Sequence, residues 1–221
     1  MPLTDARRAV RRDWLQRHRP HQFPRHQWQR ILFSDESRFS LFRADGRKRV
    51  YRRKNERYAD ACVIERDRFG GGSVMVWWAI AHGFKSPLVT VDGTLTTLKY
   101  RDEVLIPHVI PITRQNEFTF QQDNARPHVA RVSTDCLTQN GVQVLDWLPY
   151  SPDLSTIEHL WDELDRRVRH HVNVPLTTNA LSQALREEWD NIPMATINKL
   201  IRSMTSRIRD AIAARGGHTQ Y

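Results

Sequence analysis

Three acidic residues in this chain have the neighbours and the spacing to share a divalent metal. Thr119 to Gln122 are strand-type residues that run into Asp123, and 34 residues separate Asp123 from Glu158, at the start of a helical stretch. A helix, a short strand and a proline-punctuated turn lie between them, a connection able to fold a strand end back against a helix start. Asp35, in ILFSDESRF, supplies the third acid. Carboxylates are the hard oxygen ligands that Mg²⁺ takes. The three are therefore expected to converge within metal-bridging reach.

The surrounding elements must position these acids. Residues 5–19 have helical spacing, with Ala6, Val10, Trp14 and Leu15 apolar and arginines between them. Trp28 to Phe33 lead into a first strand. Its alternation places Ile31 and Phe33 on one face and turns Glu36 away from the face of Asp35. Asp45-Gly46 is a hairpin turn, followed by RKRVYRRKNER with seven Lys or Arg between positions 47 and 57. Phe69 to Ser73 form a glycine turn without the Gly-Lys-Ser/Thr of a phosphate-binding loop. SVMVWWAIA then reads as a central strand buried on both faces, and SPLVTVDG as a third strand. Residues 95–115 read as a helix kinked or broken by Pro107 and Pro111. EFTFQQD is a fourth strand, HVARVSTDCLTQNG a helix closed by Asn140-Gly141, and VQVLDW a fifth strand. The next helix, from about Ser155, carries Ile157, Leu160, Trp161, Leu164 and Val168 on one stripe, with Glu158 on its flank. Ser155-Thr-Ile-Glu158 spells a capping box, in which Glu158 would reach back to the Ser155 N–H. Helices over 177–191 and 194–214 follow. Strands and helices in this order predict an α/β fold.

Asp35 in FSDESRF, Asp123 in QQDNARPH and Glu158 in SPDLSTIEHLWDEL together resemble the Asp-Asp-Glu triad of Tc/mariner superfamily transposases, with the spacing of the Tc branch. GGGSVMVW and the terminal AARGGHTQY belong to the same pattern. The resemblance runs from about residue 25 to the last residue. It implies an RNase H-like fold: a mixed five-stranded sheet flanked by helices, with a helical C-terminal tail. It divides the chain into a basic N-terminal helix and linker (1–24), a catalytic domain (25–175) with a clamp-like basic loop (43–68), and C-terminal helices (176–221). It also implies two Mg²⁺ or Mn²⁺ ions. Asp35 is assigned as the bridge, with Asp123 on one ion and Glu158 on the other. Two such ions activate a water or 3′-hydroxyl and stabilise the leaving oxyanion of a phosphodiester. Asn124 and His128 lie in the second block and are expected to orient Asp123 or a phosphate, or to cap the chain locally.

The partner so implied is double-stranded DNA, as transposon ends and as target, bound by a homodimer. The family carries helix-turn-helix units upstream, and about 30 residues before the first strand are too few for two of them. A non-catalytic, host-adopted DNA-binding protein is the alternative. Where the family usually shows two glycines, this chain has Trp78 and Ala79, and Ser155-Thr156 replace an Asn-Pro pair.

Net charge of +9 and a pI of about 10.1 independently favour a polyanion. Arg47, Lys48, Arg49, Arg52, Arg53, Lys54 and Arg57 are the expected backbone contacts, and their composition also suits nuclear entry. Cys62 and Cys136 form neither a disulfide framework nor a metal-type pair. The longest apolar run, 74–81, is far short of the ~20 residues of a membrane helix. A soluble protein of the nucleus is expected.

Overall fold

Thr4 caps the first helix, α1 (Asp5–Arg17), by accepting the Arg7 N–H. One face of α1 is buried at helical spacing: Arg11, Trp14 and Leu15. The computed structural model describes residues 3–41, 72–149, 151–171 and 175–219; the basic stretch 43–68 and its seven expected DNA contacts lie outside them. A short α2 (Arg25–Trp28) leads into β1 (Ile31–Ser40), and β2 (Ser73–Ala81) pairs with it antiparallel along its length.

The third strand of the sequence reading is split into β3 (Phe84–Lys85) and β4 (Val89–Val91), both antiparallel to β2. Ser86-Pro87 separates them, because proline has no N–H for the ladder. Ser86 compensates by accepting the Ala79 N–H on its hydroxyl. The 95–115 helix is not broken at its prolines. It begins as α3 (Thr97–Lys99), continues as a π-helix (Tyr100–Val109) and ends as α4 (Ile110–Asn116). Pro107 lacks the N–H of an α turn, and the chain continues with wider bonds such as Ile110 N–H to Leu105 O.

β5 (Thr119–Gln121) runs parallel to β1, giving a five-stranded mixed sheet of order β3-β2-β1-β5 with β4 also on β2. VQVLDW is reduced to a single bridge, Phe120 to Val144. Helices α5 (Arg126–Val129) and α6 (Arg131–Gln139) follow. After a 3₁₀ turn (Pro152–Leu154) come α7 (Glu158–Arg169), α8 (Thr178–Asp190) and α9 (Met194–Ala213).

The sheet is buried on both faces, so β2 is apolar from Val74 to Ala81. Val76, Trp78 and Ile80 of β2, with Phe33 and Phe39 of β1, pack under α1, α7, α8 and α9. Trp77 and Ala79, with Leu32 and Phe120, pack against Tyr100, Val104, Val109 and Leu137 on the other face. Three layers result, α/β/α, the RNase H-like arrangement. Among the described residues, no helix is long and apolar enough to cross a membrane.

Candidate active site

β1 and β5 set the level of the first two acids. Phe33 is in register with Gln121, so Asp123, two residues past that pair, comes level with Asp35 as the chain leaves the sheet. Adjacent strands lie about 4.8 Å apart. Glu158 opens α7, whose buried face of Leu160, Trp161, Leu164 and Val168 fixes the helix over the same side of the sheet as Asp35.

Asp35 is mostly covered. Its Oδ2 accepts a 2.9 Å hydrogen bond from the indole N–H of Trp161. Burial, followed by the negative charges of Glu36 and Glu158, pushes its carboxyl up to about 7, against the pull of the indole. Burial likewise pushes Glu158 up, helped by the charges of Asp162 and Asp123. Among the described residues, the charges that act most strongly on these two acids are those of other carboxylates.

Asp123 has the opposite environment. Its Oδ1 accepts the Ala125 N–H at 2.8 Å, a turn that aspartate side chains form readily. The same oxygen lies 2.6 Å from His128 Nδ1. Burial alone would raise this carboxyl, but the bonds from His128 and Ala125 outweigh it and hold it below the ordinary range. His128 is buried, with Nε2 at 3.2 Å from Glu36 Oε2, an ion-pair distance that lies off the line of a hydrogen bond. Burial disfavours its charge, but the two flanking carboxylates prevail and push it up to about 10. Glu36 does face away from Asp35, and its role there is to hold the far side of the histidine. Tyr100 covers the ring at 4.3 Å and donates its own hydroxyl to Gln122. Asn124 does not touch Asp123; its amide binds the carbonyl of Trp147 and pins the loop.

A divalent cation suits this donor set: three carboxylates at one end of the strands, two of them raised by burial and by neighbouring carboxylates. Ready-made convergence, however, is not found. Among the described residues no three His, Cys, Asp or Glu side chains gather closely enough to hold a metal ion. Asp35 takes the Trp161 indole as its partner, and Asp123 takes His128.

The capping box is not formed either. Ser155 gives its N–H to the Pro152 carbonyl, α7 starts at Glu158 with Ile157 as cap, and no side chain caps it. Thr156 is fully buried, its hydroxyl without a partner. Glu158 is therefore not engaged with Ser155.

Another network holds the turn before Glu158. Arg11 of α1 binds Asp153 through both carboxylate oxygens, at 3.0 and 2.8 Å. It also binds the Ser151 hydroxyl and the carbonyls of Gly216 and Gly217. Thr219 gives Asp153 its N–H and hydroxyl, and Arg207 of α9 binds the Asp153 carbonyl. Gly216 has φ +77°, and a Cβ there would meet the Arg8 carbonyl at 2.8 Å. In the sequence Arg11 is one of the arginines that lie between the apolar positions of this helix. Its spacing from Trp14 and Leu15, three and four residues on, was the available signal that it is buried with them. Trp161 was read only as part of an apolar stripe.

Residues 30–178 match the family model described as DDE superfamily endonuclease. The chain is 34% identical to the transposable element Tc1 transposase of Caenorhabditis elegans over 99% of its own length and 80% of that protein. It is similar in structure to the Mos1 transposase in a paired-end complex with the left transposon end, with TM-score 0.77 and 19% identity, covering 99% of this chain and 65% of that one. The Mos1 transposase catalytic domain with raltegravir and Mg superposes over 100% of both chains, with TM-score 0.67 and 18% identity.

Proposed function

We propose, from the premise that this chain belongs to the DDE superfamily endonucleases and within them to the Tc/mariner transposases, that it is the catalytic unit of a cut-and-paste DNA transposase. It hydrolyses phosphodiesters at transposon ends and joins the freed 3′-hydroxyls to target DNA. Asp35, Asp123 and Glu158 hold two divalent ions, Mg²⁺ or Mn²⁺. Bound there, the ions supply an activated oxygen nucleophile and stabilisation of the leaving oxyanion.

The chain's own residues prepare this. Ala125 and His128 occupy Asp123 Oδ1, which leaves Oδ2 for a metal. His128, charged between two carboxylates, keeps Asp123 ionised and its rotamer fixed. The sheet excludes water from one side of Asp35. Duplex DNA is held through its phosphates by the basic stretch 47–57, as two copies of the chain acting in the nucleus. The Tc1 and Mos1 relatives, of which this chain spans 80% and 65%, support both the activity and the DNA partner.

One observation supports the proposal: the three acids, from three separate sequence blocks, lie near enough that the charge of Glu158 raises Asp35 and the charge of Asp123 raises Glu158. The test is strand transfer by the purified chain, using an oligonucleotide with a pre-cut 3′ end and a supercoiled target, with Mg²⁺, Mn²⁺ or chelator. Joined products that need metal and vanish in Asp35→Asn and Glu158→Gln are expected. DNA binding without joined products in any metal would instead indicate a non-catalytic DNA-binding protein.

A further inference from the structure

We infer that Trp161 is a positioning residue for Asp35: its indole N–H sets the plane in which that carboxylate is offered to a metal. The inference rests on the transposase reading of the three acids. An indole nitrogen can only donate, so Trp161 needs an acceptor. Trp14 and Trp189 give theirs to backbone carbonyls of Asp146 and Ser86, while Trp77 and Trp78 have buried indole nitrogens with no partner. Trp161 alone among these five gives its N–H to a carboxylate, at 2.9 Å.

The ring that makes this bond cannot swing. Trp78 stacks on it with centroids 3.8 Å apart and planes 9° from parallel. Trp189 stacks on the far side of Trp78 at 4.0 Å and 17°. Phe39 closes against Trp161 at 5.9 Å. Trp78 is also the cross-strand partner of Asp35, so the same strand pair aligns the acid and the platform that aims its donor. Trp161 lies three residues after Glu158 on α7, one turn along the same side. One helix thus delivers the third acid and orients the first. A carboxylate oxygen has two lone pairs, so the indole leaves Asp35 free to ligate while removing rotation of its plane. Hydrogen bonds to ligating groups are worth about 10–100-fold in metal affinity.

The test is Mn²⁺ binding to the DNA-free protein, followed by the loss of free-ion EPR signal. Trp161→Phe keeps a stacked ring and deletes the N–H. Trp189→Phe makes the same change at the other end of the stack and serves as the matched control. The Mn²⁺ dissociation constant should rise about tenfold or more in Trp161→Phe and stay within twofold of wild type in Trp189→Phe. A Trp161→Phe constant within fivefold of the control overturns the inference. Binding that needs Asp35 but not Trp161 overturns it alone; wild-type binding indifferent to Asp35→Asn overturns the three-acid site as well. A second readout needs no substitution to fold. The Trp161 indole ¹H–¹⁵N resonance of the wild-type protein should move when Mg²⁺ is added, and an unmoved resonance at saturating Mg²⁺ refutes the coupling.

Discussion

Replacing Arg11 by methionine should unfold this protein at a markedly lower temperature, although none of the hydrogen bonds of Arg11 goes to an acid of the proposed site. Its side chain is 1% exposed and that of Asp153 5%. Methionine retains the stem's packing and deletes five hydrogen bonds, to the Ser151 hydroxyl, both Asp153 oxygens and the carbonyls of Gly216 and Gly217. Asp153 keeps only Thr219 as a side-chain partner. Removing one member of a buried ion pair costs about 3–5 kcal/mol, chiefly because the other charge stays buried. For a chain of this size each kcal/mol moves the midpoint by roughly 2–4 °C, so the fall should be about 6–20 °C. The assay is urea and thermal unfolding of Arg11→Met, Asp153→Asn and the double variant. The double variant should be much less destabilised than the sum of the singles, since it buries no lone charge. The effect also carries a pH signature. Burial would raise Asp153, but Arg11 and Thr219 hold it below its ordinary value of 3.8. A depressed carboxyl stabilises the fold above its unfolded pKa, and that contribution is lost as pH falls through the folded value. The gap between wild type and Arg11→Met should therefore be full at neutral pH and close as acid takes the solution below about pH 3.8. A gap under about 1 kcal/mol at pH 7, strict additivity, or a gap that widens in acid would refute the buried-pair argument.

Asp123→Asn should abolish strand cleavage and joining while leaving DNA affinity equal or slightly higher, since one negative charge is lost; gel shifts beside product gels measure both. DNA affinity should fall steeply with salt and depend little on sequence, and neutralising Arg52, Arg53 and Lys54 should lower the log–log salt slope by up to about 3 units; an unchanged slope removes these residues from the interface. Trp78→Gly, the residue usual in the family at this point, should cost about 3–5 kcal/mol in urea unfolding, as large-to-small changes of buried aromatics do. A near-neutral result would mean that α7 and α8 close over the space.

Local pattern revealed those parts of the fold that local chemistry dictates. SVMVWWAIA is apolar at every position after Ser73 because both faces of β2 are covered, and the stripe Leu160, Trp161, Leu164 and Val168 faces inward as its spacing requires. Departures came where one residue's backbone needs overrode the pattern. Pro87 split a strand, Pro107 was absorbed by a π-helix, and Ser155 spent its N–H on a 3₁₀ turn instead of capping α7. VQVLDW has strand composition but follows β5 for only one bridge. The three acids were legible from their blocks. What surrounds them was not, because it comes from distant positions: Trp161 meets Asp35 across 126 residues, and Arg11 meets Gly216 across 205. Periodicity reports which face of an element is buried and is silent about which partner awaits it there. Hence Glu36 was correctly turned from Asp35, yet its hold on His128 could not be read.

The tie between Asp153 and Thr219 also sets an order of events during synthesis. Thr219 follows Asp153 by 66 residues, an interval of roughly 3–13 s at ~5–20 residues per second. Throughout that time the carbonyls of Gly216 and Gly217 that complete the shell of Arg11 do not yet exist. A nascent chain therefore carries all three acids well before the turn that aims Glu158 is locked. The clasp cannot close until the Gly-Gly-His-Thr segment has been made, and a frameshift or premature stop only a few codons upstream would spare every acid yet remove these ties to the turn.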